Sequence, residues 1–169
     1  MPGLQNKKVL WLFAVVCPSV MFLFLVPRYR VLTVETRKGN KSLVCHRVEE
    51  GEEFVLSYTH SVNKRPVYDT VICDSDQLIV VRSRLDSFGA GMPYGSEDCK
   101  NLTKDDPLWI VCEVDYRVRE IALFVGFTAD HKNIIRGKEI RFLDLVQPGT
   151  SLTIRSLTLP LYSFLKKKR

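Results

Sequence analysis

The sequence predicts an all-β domain, an antiparallel sandwich or barrel-like fold, behind one N-terminal transmembrane helix. Short apolar runs recur at spacings of about 8–12 residues with turn residues between them, which suits a sandwich or barrel. Several runs alternate apolar and polar residues with period two, the pattern of a half-buried strand. Past the first 28 residues no stretch shows a convincing 3.6-residue period.

The 169 residues suit one domain with a short appendage, divided as 1–28 (membrane signal anchor) and 29–169 (β domain). Val9 to Val26, VLWLFAVVCPSVMFLFLV, is a nearly unbroken apolar run. As a helix it spans roughly 27 Å, against about 30 Å of hydrocarbon core. The residues that follow, Val26-Pro27-Arg28-Tyr29-Arg30, offer no small-residue cleavage site, so the reading is an uncleaved anchor. Val16 stands before Cys17 where a lipoprotein signal needs a small residue, and Pro18 is expected to kink the helix. Charge leaves the orientation open: Lys7 and Lys8 precede the run, while Arg28, Arg30, Arg37 and Lys38 follow it.

Strands are expected at Tyr29 to Thr36 and Ser42 to Val48, with turns at Lys38-Gly39-Asn40-Lys41 and Glu49-Glu50-Gly51-Glu52. A central hairpin from Phe54 to Cys73 and a run from Leu78 to Leu85 follow. Met92 to Pro107 reads as irregular. Leu108 to Tyr116, Ile121 to Phe127, Glu139 to Val146 and Ser151 to Leu159 complete the set, with turns at Gly137 and Gln147-Pro148-Gly149. The tail, apolar from Leu159 to Leu165 and basic from Lys166 to Arg169, reads as a last strand with a solvated end, or as a segment resting on an anionic membrane surface.

The central stretch holds the candidate site. Phe54, Leu56, Tyr58, His60 and Val62 alternate with Val55, Ser57, Thr59 and Ser61. If Asn63 to Pro66 is a four-residue loop, Val62 faces Val67, His60 faces Asp69, Tyr58 faces Val71 and Leu56 faces Cys73. Opposed residues share a face, so one His and one Asp would meet on an apolar surface. A buried imidazole without a partner costs roughly 1–3 kcal/mol, and Asp69 is the expected partner. A change of one residue in the loop would separate the two onto opposite faces. Phe88-Gly89-Ala90-Gly91-Met92-Pro93 reads as a tight loop that needs positive φ at glycine, with backbone amides available to a partner or a ligand.

Several classes of function are disfavoured. The net charge is +6, but apart from the terminal Lys166 to Arg169 the basic residues are scattered, so no nucleic-acid partner is expected. Ser61 next to His60 on a strand points to the other face, and no GxSxG motif is present, so no catalytic residues are assigned and the chain is read as not an enzyme. Nothing in the spacing brings His46 or His131 to His60, so no metal site and no cofactor are expected. Cys45, Cys73, Cys99 and Cys112 make two disulfides in any of three connectivities, or stay as small apolar thiols, with Cys73 the best case for a thiol.

Tyr58-Thr59-His60-Ser61-Val62, the carboxylate seven residues beyond Val62, and Ser87-Phe88-Gly89-Ala90-Gly91-Met92-Pro93 together resemble the domain of unknown function 1850 family. The resemblance covers Phe54 to Pro93; the family's usual glutamate stands here as Asp69, which keeps the charge and shortens the reach. It implies a small exported or membrane-anchored protein, associated with tripartite ATP-independent periplasmic (TRAP) transporters of the TAXI type. The expected function is then a non-catalytic accessory protein of such a transporter. It would be single-pass in the cytoplasmic membrane, with its β domain in the periplasm or outside the cell and the transporter's membrane subunit as partner. The expected contact residues are Tyr58, His60, Ser61, Asp69, Phe88, Gly89, Gly91 and Pro93. The alternative is a periplasmic module that binds a small ligand or metal through His60 and Asp69.

Overall fold

A computed structural model describes residues 14–18, 21–22, 24–87 and 99–167. The described chain is an antiparallel β-sandwich of a four-stranded and a seven-stranded sheet. The smaller sheet has the order β2-β1-β11-β8, from β1 (Pro27–Thr36), β2 (Ser42–Arg47), β8 (Ile121–Phe124) and β11 (Ser151–Pro160). The larger has the order β10-β9-β3-β4-β5-β7-β6. It is built from β3 (Glu52–Thr59), β4 (Pro66–Asp74), β5 (Gln77–Leu85), β6 (Asn101–Asp106), β7 (Trp109–Val118), β9 (Lys132–Ile135) and β10 (Lys138–Arg141).

Period two decides which side chains go inside. On β1, Leu32 and Val34 enter the core between the sheets, where Ile154 and Leu152 of β11 join them. Phe54 and Leu56 of β3, Val71 and Cys73 of β4 and Leu78 of β5 close it from the larger sheet. The other side of β1 is also covered: Val31, Thr33 and Glu35 are buried. A C-terminal helix (Leu161–Lys167) packs against β1 and β11. Phe164 of this helix stacks on Tyr29 with ring centroids 5.2 Å apart, and Lys167 forms an ion pair with Glu35.

Most of the expected strands are present within two or three residues at their ends. Four features differ. β9 (Lys132–Ile135) is a strand that the sequence reading did not contain. The strand expected from Glu139 to Val146 is β10 followed by a 3-10 turn (Phe142–Asp144), because Phe142 turns into the core and its carbonyl accepts from the Leu145 and Val146 amides. Part of the stretch read as irregular is β6, which among the described residues is an edge strand paired with β7. The tail differs in part: the last strand ends at Pro160, and Leu161–Lys167 then form the helix that packs on β1, with Lys166 exposed.

Cys99 and Cys112 form a disulfide, whereas Cys73 is a thiol at the centre of the core. Burial pushes the Cys73 thiol up to about 12, so it stays protonated and packs as a small apolar residue. Among the described residues no helix is long and apolar enough to cross a membrane. The apolar run at residues 9–26 lies partly outside the described residues.

Candidate functional site

The β3–β4 hairpin sets the site. Its register pairs Tyr58 with Val67, Leu56 with Asp69 and Phe54 with Val71. The expected His60–Asp69 pairing is therefore not made. His60 lies beyond the end of β3, in a six-residue turn over residues 60–65. The His60 amide donates to the Arg65 carbonyl at 2.8 Å, and the Lys64 amide donates back to the His60 carbonyl at 3.0 Å. Lys64 takes φ +57° there, and Asn63 Oδ1 accepts from the Arg65 amide. The loop is two residues longer than expected and centred two residues earlier, which moves each residue's partner by four, so the residues keep their face and lose their partner.

What faces Asp69 from the next strand is Ser83, whose hydroxyl donates to Asp69 Oδ1 at 2.6 Å. The Tyr58 hydroxyl, diagonal to Asp69 on the same face, donates to the same carboxylate. Burial raises the Asp69 pKa above the usual carboxylate range, against the pull of the two hydroxyl donors. Burial and the nearby Asp69 charge raise Tyr58, which therefore remains a neutral donor. On the far side of Tyr58 lies the His131 ring, with centroids 5.6 Å apart. Burial lowers the His131 pKa, against a smaller upward pull from Asp130. His131 Nδ1 is buried without a hydrogen-bond partner among the described residues. Next along the sheet, opposite Leu56, Asn133 is fully buried with both amide atoms unpartnered among the described residues.

A cavity of about 320 Å³ opens between the sheets beside this cluster. Leu56, Asp69, Val71 and Val80 line it from β3, β4 and β5, and Tyr116, Val118, Glu120 and Ile121 close the other side. Glu120 is held by Arg155, whose Nε donates to it at 2.8 Å.

The expected contact residues thus divide. Tyr58 and Asp69 point into the sandwich and touch each other. His60 and Ser61 lie in the turn, with Ser61 exposed. Phe88, Gly89, Gly91 and Pro93 lie outside the described residues. The residues just before them are tied to the turn: Asn63 Nδ2 donates to Ser87 Oγ at 3.4 Å, and Arg65 pairs with Asp86 at 2.6 Å. Sequence reasoning missed Ser83, His131 and the cavity wall. Among the described residues no three His, Cys, Asp or Glu side chains are grouped to hold a metal ion.

The raised Asp69 pKa predicts a pH dependence. A carboxyl with a higher pKa in the folded chain holds its proton more tightly there than in the unfolded chain. Its contribution to stability therefore falls as pH rises through the folded pKa, and recovers as pH drops toward the ordinary carboxylate range. Melting temperatures of the wild type and Asp69→Asn, compared between about pH 7 and about pH 4, should show the wild type gaining on the variant as the solution is acidified. A constant difference would mean that Asp69 titrates normally.

A family model described as a domain of unknown function (DUF1850) matches residues 54–142, more than half of the chain. The match begins at Phe54 in β3 and ends at Phe142, both in the core, and takes in the whole Tyr58–Asp69–Ser83 cluster. No curated protein and no solved structure matches the chain.

Proposed function

The chain belongs to the DUF1850 family, and from that premise we propose that it is a non-catalytic, membrane-anchored accessory protein of a TRAP-TAXI type secondary transporter. It acts at the outer face of the cytoplasmic membrane, with the transporter's membrane subunit as its partner.

The observation that carries this reading is the junction at Val26–Pro27. The helical residues before it leave large apolar side chains uncovered: Met21 and Phe22 are each 61% exposed, and Leu25 is 60% exposed. Such a surface suits a bilayer rather than water. The Val26 amide still donates to the Phe22 carbonyl at 3.0 Å, and β1 opens at the next residue. With no linker, the sandwich is held at the membrane surface, where its partners are other membrane proteins. The Cys99–Cys112 disulfide supports an oxidising compartment, outside the cytoplasm.

The contact surface in this reading is the 60–65 turn together with the Gly89–Pro93 loop. Ser61 and Val62 are exposed at the turn, and Val62 is an apolar side chain left 67% exposed among the described residues. Asp69 is not part of that surface, because it faces inward. Pull-down of the full chain from mild-detergent membranes is expected to recover the transporter's membrane subunit. Recovery should be lost in His60→Ala and Gly91→Val while their melting temperatures stay near the wild type. Absence of any transporter subunit, with substrate uptake unchanged on deleting the gene, would sink the proposal.

A further inference from the structure

We infer that the cavity between the sheets binds a small amphipathic amine, with its ammonium on Asp69 and its apolar body against Val71, Val80, Val118 and Ile121. The inference goes beyond the transporter partnership and does not depend on it.

The size comes first. A volume of about 320 Å³ is at the lower end for ligand sites and suits a molecule of about a dozen non-hydrogen atoms. The walls are mainly aliphatic, with Tyr116 at the exposed rim. An apolar enclosure with few polar groups is the usual make-up of a small-molecule site, and those few groups fix the chemistry.

Here the acidic groups are two carboxyls, in different situations. Glu120 has its counter-charge in Arg155. Asp69 has two hydroxyl donors, Ser83 and Tyr58, and no cation among the described residues. The hydroxyls orient the carboxylate without neutralising it, so a partly buried negative charge faces the cavity uncompensated. An anionic ligand would meet the uncompensated Asp69 carboxylate and is excluded by repulsion. A hard metal cation needs about six oxygen ligands or more, and among the described residues no three His, Cys, Asp or Glu side chains are grouped to hold one. An ammonium supplies the missing charge and up to three donors, and the carboxylate still has lone pairs beyond those taken by Ser83 and Tyr58.

The test uses the full chain in phosphatidylcholine nanodiscs, with empty nanodiscs as the blank. Three probes that share a phenethyl body and differ in the head group are titrated by calorimetry: phenethylamine, 2-phenylethanol and 3-phenylpropanoate. Phenethylamine is expected to bind saturably and at least about tenfold tighter than the alcohol, the ratio that a charge-assisted hydrogen bond supplies. The propanoate should not bind. Asp69→Asn should weaken amine binding by at least about tenfold, and Val80→Phe, which fills the cavity from β5 and leaves the carboxylate in place, should abolish it. Near-UV circular dichroism checks that each variant is folded; if Asp69→Asn is not, Val80→Phe decides. No saturable amine binding, equal affinity for the alcohol, tighter binding of the propanoate, or binding that survives Val80→Phe would each overturn the inference.

Discussion

Phe142→Ala is expected to lower the stability of the chain by about 3–5 kcal/mol, the range for deleting a buried aromatic ring. Phe142 is completely buried and belongs to the core that both sheets share. For a chain of this length the loss corresponds to a fall in melting temperature of roughly 10 °C. The effect should also reach the site. The Phe142 amide donates to the His131 carbonyl at 3.0 Å, and the His131 ring lies against Tyr58. When the ring is removed, the 3-10 turn loses its anchor and His131 loses its position. Phe127→Ala is the control: Phe127 is also aromatic, but it is 77% exposed, and a surface change of this kind should stay within about 0.5 kcal/mol. Urea denaturation of the two variants beside the wild type makes the comparison. Equal losses would mean that Phe142 does not tie the two sheets together.

The sequence shows where burial is, and less well which residues meet. Period two placed Leu56, Tyr58, Asp69, Val71 and Cys73 on one face, and all of them are on it. The partners depended on the length of one loop, and that loop closes inside residues 60–65, where Asn63 and a left-handed Lys64 build the turn. Ser83 was hidden by a bulge. The tight turn that pairs Asp74 with Gln77 would, if continued, set Arg82 opposite Asp69. The ladder instead shifts between Thr70 and Val71 on β4, leaving Val81 without a partner, and Ser83 takes the place opposite Asp69. A bulge leaves no compositional trace in IVVRSRL. β6 was missed for another reason: Asn101 to Asp105 are all exposed, so the strand exists through its ladder to β7 and has no burial pattern to read. The C-terminal helix is seven residues long, too short to show a period; what it answers is the need to cover Val31, Thr33 and Glu35. The Tyr58–Asp69 contact was legible as a shared face, whereas the cavity depends on how the two sheets overlap and was not.

Removing the Cys99–Cys112 disulfide is expected to cost about 3 kcal/mol, the chain-entropy value for a loop of about 15 residues. The separation here is 13 residues, and the closed loop contains β6 and its turn into β7. The position of the bond says where the cost will appear. Cys112 is fully buried on β7, opposite Ser83 on one side and Leu102 of β6 on the other. β6 is the edge of the larger sheet, and its exposed side chains give it little apolar burial of its own. Among the described residues, the ladder to β7, the disulfide and the Arg84–Asp105 ion pair are then what hold it. Reduction, or the Cys99→Ser/Cys112→Ser pair, should therefore deprotect β6 amides to hydrogen exchange first, while the β1–β11 ladder keeps its protection until global unfolding. Exchange followed with and without reductant resolves the two. Uniform loss of protection across both sheets would mean that the disulfide supports the whole sandwich. Retained protection in β6 would mean that its ladder is sufficient without the bond.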